Sequence, residues 1–307
     1  VTVAVLLTAV IFWRSHPSEV VTTALHADLR YIGCAVALVL LDRALMAYRW
    51  LVLLRPLAGA ARLSLGVVMR IFFVSTFVGT FLPASVGGDA VRAYSLSRHE
   101  VPGAAAVASV FMDRMLGVLS VLILATAGLF LVRDLVLNPA VILALALTAA
   151  ACLVTALVVF SGRAARWGRT VAGVLPWAWL RHVASALIDA IQQYSAAHRE
   201  LLNVLAGSLG VQVLRVVQAY FLGQALGIHA PLTAYFAFVP LILLVMLLPI
   251  TVNGIGTSQA AFVWFFAGAG VPSAPAFALS VLFVALGVVG NLPGGFLYAT
   301  GGLQRRP

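Results

Sequence analysis

The chain has 307 residues, of which 63% are hydrophobic and 9% charged, and its mean hydropathy is +1.09. That balance excludes a soluble globular domain and describes a single polytopic membrane domain over 1–307, all-α, with the lipid bilayer as its solvent and no nucleic-acid partner. All nineteen basic residues are arginine, so there is neither a P-loop lysine nor a Schiff-base lysine, and a self-contained P-loop ATPase is excluded.

Apolar runs long enough to cross about 30 Å of hydrocarbon recur along the chain. Full spans are expected at about 1–13, 31–52, 104–132, 138–160, 203–227 and 274–300. The first is short, which suggests that native residues precede Val1, and no Ala-x-Ala site near Arg14 marks a cleaved signal peptide. The two cysteines, Cys34 and Cys152, lie far apart in apolar runs and offer no disulfide framework or zinc spacing. The six histidines are scattered singly near loops and read as surface residues.

Between these spans lie two interrupted segments. Leu82-Pro83-Ala84-Ser85-Val86-Gly87-Gly88 and Leu248-Pro249-Ile250-Thr251-Val252-Asn253-Gly254 stand 166 residues apart and spell nearly the same pattern. Proline removes a backbone donor and the glycines let the chain reverse, so each segment breaks a helix at membrane depth. Hydrocarbon cannot satisfy the freed groups, and paired breaks in two halves of a chain point to a transport site.

Arginines cluster over 49–98 and 163–199 and again at Arg305 and Arg306, which places those stretches on the cytoplasmic side. With both flanks cytoplasmic, the run from about Leu65 to Val86 enters and returns as a re-entrant hairpin. The same parity argument puts the ends of Leu232 to Ala269 on the outer side, so the two hairpins are inverted relative to each other. Parity also permits two ordinary spans in the second segment. The expected fold is thus about six full spans with two inverted re-entrant hairpins, six to eight transmembrane helices in an inverted pseudo-repeat.

Asp89 is placed to cap a helix starting near Ala90, and Arg92 offers a planar fork suited to phosphate at that helix start. The plainer alternative is that Asp89 and Arg92 pair with each other. Asp113 and Arg114 are neighbours in a helix and so need separate partners, Arg92 or Arg98 for Asp113 and Asp89 for Arg114. Arg215 falls mid-span, where an arginine costs roughly 2.5 to 3.5 kcal/mol, so it faces a cavity or a partner. Ser208, Gln212 and Arg215 share a face, with Gln218 oblique to it, and Asp42 and Arg43 read as an ion pair with Arg215 or Arg49. In the second break Thr257 or Ser258 is positioned to cap the returning half-helix, with Gln259 in its first turn. From Pro176 onward, Leu180, Val183, Leu187, Ile191 and Tyr194 line one face of an interfacial helix flanked by Trp167, Trp177 and Trp179. A helix that braces the bundle is the plainer reading there than one that recognises lipid.

These residues resemble the transmembrane flippase domain of lysylphosphatidylglycerol synthases, the multiple peptide resistance factors, and their stand-alone relatives. The resemblance rests on Arg49-Trp50, on Leu82-Pro83 through Gly88, Asp89 and Arg92, on Asp113-Arg114, and on Leu248-Pro249 through Gly254, Gly256 and Gln259. The family commonly carries glutamate where Asp113 and Gln259 stand. Resemblance implies a bacterial cytoplasmic-membrane protein that moves a lipid between leaflets, and the all-arginine base set suggests a GC-rich genome. Without an aminoacyl-transferase domain, it is not expected to be an enzyme or to need a cofactor or metal. The lipid is an anionic or aminoacylated phospholipid, a glycolipid or a polyprenyl-linked sugar, and a homodimer or partner enzyme stays open. The expected translocation residues are Pro83, Ser85, Gly87, Gly88, Asp89, Arg92, Asp113, Arg114, Gln212, Arg215, Pro249, Asn253, Gly254, Gly256, Ser258 and Gln259. An intramembrane enzyme acting on a phospholipid or lipid-linked sugar, and a scaffold that delivers lipid to an enzyme, are the alternatives.

Overall fold

The computed structural model describes residues 8, 10–15, 17–57, 63–82, 86–99, 101–130, 139–174, 176–247 and 256–300. These residues form helices and turns, with no strand among them. Helix α1 (Pro17–Leu25) leads to Asp28, whose carboxylate accepts the Arg30 amide at 2.8 Å and caps α2 (Leu29–Leu54). Ser64 caps α3 (Leu65–Phe81), and α4 (Val86–Ser97) and α5 (Gly103–Leu129) follow. Next come α6 (Pro139–Phe160), α7 (Gly162–Gly173) and α8 (Ala178–Gln192), with a 3₁₀ turn at Gln193–Ala196. The second half holds α9 (His198–Ala225), α10 (Leu232–Leu247), α11 (Thr257–Ala267) and α12 (Ser273–Ala299).

Four of these helices, α2, α5, α9 and α12, are long and apolar enough to cross a bilayer, and α6 fills the expected span at 138–160. The chain is an all-α, multi-pass membrane protein. Many large apolar side chains are exposed, among them Leu40, Phe111, Leu147, Leu292 and Phe296, which suits a surface bathed in lipid tails. The first expected span lies mostly outside the described residues; residues 10–14 are helical.

Helices α3 and α4 pack against each other as a hairpin. Gly88 meets Gly79 and Ser75 while Arg92 lies over the Phe72 ring, so the two run antiparallel. Only glycine fits the contact: a Cβ on Gly88 would stand 3.0 Å from the Ser75 carbonyl oxygen, and one on Gly79 2.7 Å from the Gly88 Cα. At 17 and 12 residues these helices span about 26 and 18 Å, less than the hydrocarbon thickness. Helices α10 and α11, of 16 and 11 residues, pair through Tyr235, Phe238, Phe265 and Phe266.

The halves share a plan. Helices α2 to α5 contain 26, 17, 12 and 27 residues, and α9 to α12 contain 28, 16, 11 and 27. The first helices of each half, α2 and α9, form the most extensive pairing, while α3 packs on α12 and α10 on α5. Gly294 of α12 sits directly on the Phe73 backbone and Gly128 of α5 on the Phe236 backbone, so each cross-half contact is made at a small residue.

Two apolar cores result. One gathers the ends of α2, α5 and α9 around Val39, Val121 and Leu222 with α10, α11 and α12. The other gathers their opposite ends around Leu53, Ala105 and Val204 with α3 and Tyr194. The middle thirds of the same three helices carry Asp42, Arg43, Asp113, Arg114, Gln212 and Arg215, with Arg49 further along α2, so charge forms a belt between the cores.

Helix α8 braces this bundle as its pattern predicted. Its face packs on α5 and α7, Leu187 and Ile191 join the second core, and the fully buried Tyr194 hydroxyl donates to the Leu53 carbonyl at 3.1 Å. Burial, helped by the Asp113 charge, pushes the Tyr194 phenol well above its ordinary range and keeps it a donor. Val183 departs from the expected face and is exposed, because α7 covers α8 nearer Ile188.

Candidate functional site

A cavity of about 500 Å³ opens in the charged belt. It is walled by α2, α3, α4, α5, α9, α10 and α12, and five arginines and three aspartates line it: Arg43, Arg49, Arg92, Arg114 and Arg215 with Asp42, Asp89 and Asp113. Such charges persist at membrane depth because each finds a partner in protein.

The first cluster is a ladder across four helices. Ser208 of α9 accepts from Arg49 Nη1 at 2.8 Å, and Arg49 of α2 gives Nη2 to Asp113 Oδ1 at 2.6 Å. Asp113 of α5 turns its other oxygen to Arg92 Nη1 of α4 at 3.1 Å, and Arg92 Nη2 reaches Asp89 Oδ1 at 3.2 Å. Asp89 then accepts Arg114 Nε at 2.7 Å. Arg92 also lies over the Trp50 ring, 5.0 Å from its centroid, while the Trp50 indole donates to Ser109. Arg49, Arg92 and Asp113 are all buried, so this ladder welds the hairpin α3–α4 to α2, α5 and α9.

The second cluster is looser. Asp42 pairs with Arg43 at 3.1 Å and with Arg215 Nε at 3.7 Å, and Met46 sulfur accepts from both arginines at 3.4 and 3.6 Å. Arg43 Nη2 reaches the Gly287 carbonyl at 3.4 Å, in a space left by Gly287 and Gly290 on α12. The Arg215 side chain is 25% exposed to the cavity, against 4% for Arg49. Among the described residues eight buried side-chain atoms make no hydrogen bond, and six of them belong to residues lining the cavity: Asp42 Oδ1, Arg43 Nε, Arg92 Nε, Gln212 Oε1, Gln218 Nε2 and Asn291 Oδ1; the others are Arg70 Nε and the Tyr235 hydroxyl.

Several expectations need correction. Helix α4 begins at Val86, so Asp89 stands in its first turn and serves as an ion-pair acceptor instead of a cap. Arg98 stacks on Tyr94 at 6.0 Å and leaves Asp113 to Arg49 and Arg92. Asp113 and Arg114 do take separate partners, and Arg114 meets Asp89. In α11 neither Thr257 nor Ser258 caps. Gly256 does so, at φ +91°, which a side chain would strain, and Gln259 Oε1 accepts its amide at 2.6 Å and the Ser258 hydroxyl at 3.0 Å. Gly256, Ser258 and Gln259 thus organise a helix start away from the described cavity wall, to which α10 contributes Leu243, Met246 and Leu247. Gly87 packs on Leu82, and Gln212 donates to Ser120 at 3.2 Å. Pro83, Ser85, Pro249, Asn253 and Gly254 lie outside the described residues.

The pairing of Arg49 with Asp113 escaped sequence reasoning, as did the wall of Ser75, Thr76, Thr80 and Asn291, where Asn291 donates to Thr80 at 2.9 Å. Their signal was present: Thr76 and Thr80 are one helical turn apart in a largely apolar helix, and Asn291 interrupts an apolar span.

The model of the lysylphosphatidylglycerol synthase TM region matches residues 1–294, nearly the whole chain. The chain belongs to that family. The match takes in both hairpins and the whole described cavity wall, which ends at Asn291. A comparison with curated proteins finds no match.

Proposed function

We propose that this family member moves a lipid between leaflets, its polar, phosphate-bearing head group passing through the charged cavity while the tails stay in the surrounding lipid. The observation that carries the reading is the cavity wall itself, in which five guanidinium groups face three carboxylates amid apolar helices. The two positive charges in excess suit an anionic head group, which never has to enter hydrocarbon unpaired. Arg215 is the contact we assign to the head group, since it is a quarter exposed and stands 3.7 Å from its carboxylate, while Arg49, Arg92 and Arg43 are committed to Asp113, Asp89 and Asp42.

In the same reading α3–α4 and α10–α11 are inverted re-entrant hairpins of a duplicated unit. Their matched lengths and the reciprocal packing of α3 on α12 and α10 on α5 support it. Movement is downhill or ion-coupled, and the chain acts as a translocase and not as an enzyme. Reconstitution of the purified protein with labelled lipids tests this directly, with leaflet exchange scored separately from chemical conversion. Conversion of the lipid would establish the enzyme in its place, and binding without exchange would establish a delivery scaffold.

A further inference from the structure

Helix α6 contains 22 residues, about 33 Å of helix, which matches the hydrocarbon thickness. Only Ser161 separates its end from α7, so α7 is held at the bilayer surface and cannot leave it. Ser161 caps α7 by accepting the Ala164 amide at 3.3 Å, which fixes the turn between the two helices.

Helix α7 has two unlike faces. Ala165, Gly168 and Ala172 are small and turned inward, and Gly168 lets Ile188 of α8 approach to within contact. The opposite face carries Arg163, Arg166 and Trp167, all exposed, and no acidic residue occurs in α7. Just beyond it Trp177 and Trp179 stack with centroids 6.5 Å apart and both are exposed. Asp189 of α8 is the acidic group near this surface, and it pairs with Arg169 at 3.6 Å. Arginine between exposed tryptophans at interfacial depth is the composition that anionic head groups attract.

We propose that the outer face of α7, with Arg163, Arg166 and Trp167 beside Trp177 and Trp179, binds the anionic lipid surface of the leaflet that it borders. Helix α8 is the brace that presents this face. The charge complementarity is one-sided: among the described residues no carboxylate pairs with Arg163 or Arg166, and both face a surface of phosphates. Because α8 also packs on α5, which carries Asp113 and Arg114, lipid charge at α7 acts on an element that reaches the cavity wall.

Hydrogen exchange of the full chain tests the proposal in nanodiscs of phosphatidylcholine and of an equal mixture of phosphatidylcholine and phosphatidylglycerol. Amides of residues 162–181 should exchange at least about tenfold more slowly in the anionic discs, and high salt should erase the difference. Arg163→Gln with Arg166→Gln should remove the difference as well, with exchange in α2 and α9 unchanged as the measure of an intact fold. Exchange in this segment that ignores lipid charge in the wild-type chain overturns the proposal. So does a double variant that keeps the full effect.

Discussion

Asp113 holds two guanidinium groups on separate oxygens, and all three side chains are buried. Asp113→Asn leaves buried Arg49 with Ser208 and a neutral amide and Arg92 with Asp89 as its carboxylate, a loss of about 3 to 5 kcal/mol for a broken buried pair. The expected outcome is a detergent melting temperature lower by roughly 10 °C, measured by scanning fluorimetry. Arg92→Ala belongs with it and should act on stability first. Arg215 differs because its carboxylate partner among the described residues stands at 3.7 Å and its side chain is a quarter exposed in the cavity. Arg215→Ala should leave the melting temperature nearly unchanged and weaken binding of an anionic lipid by about one to two powers of ten. Arg215→Lys should restore part of that, since the ammonium keeps the charge and loses the fork. Unchanged lipid binding in a destabilised Arg215→Ala protein would assign Arg215 to structure alone.

Between helices, the contact to probe is Gly88 against Ser75 and Gly79. Gly88→Val drives side-chain atoms into the α3 backbone, so α4 must shift and carry Arg92 and Asp89 out of register with Asp113 and Arg114. Leaflet exchange should fall at least tenfold relative to the lipid-facing control Leu147→Ala, on the order of 1.4 kcal/mol or more in barrier. Normal exchange in Gly88→Val would detach the hairpin from the site. The spans at 31–52, 104–132, 138–160, 203–227 and 274–300 were legible because their apolar runs are long and continuous. So was the separation of Asp113 from Arg114, because helix geometry forbids neighbours from sharing a partner. The start of α4 was not legible: two glycines in a first turn look like a loop until the close approach of Gly79 gives them a reason. Nor was the role of Arg49, because the sequence reads it as the positive end of a span, and only tertiary packing carries it inward to Asp113.

For the chain as a whole, the arginine distribution and the short α3–α4 hairpin predict one face for both of its flanks. In a chain with Cys34 and Cys152 replaced, single cysteines near Ala60 and at His99 should both react with a membrane-impermeant maleimide added from the cytoplasmic side only. Reaction from opposite sides would mean that the segment crosses an odd number of times and would rule out the hairpin. Crossed packing of the halves has a temporal consequence. Helix α3 finds its partner α12 only after about 190 further residues have been made, which at ribosomal rates takes roughly 10 to 40 s. During that interval the α3 surface that will receive Gly294 stands open, and the cavity lacks a wall. A nascent chain arrested before Ser273 should therefore be crosslinked through α3 to the insertion machinery, and release should come only with α12. The first hairpin is closed by a helix made long after it.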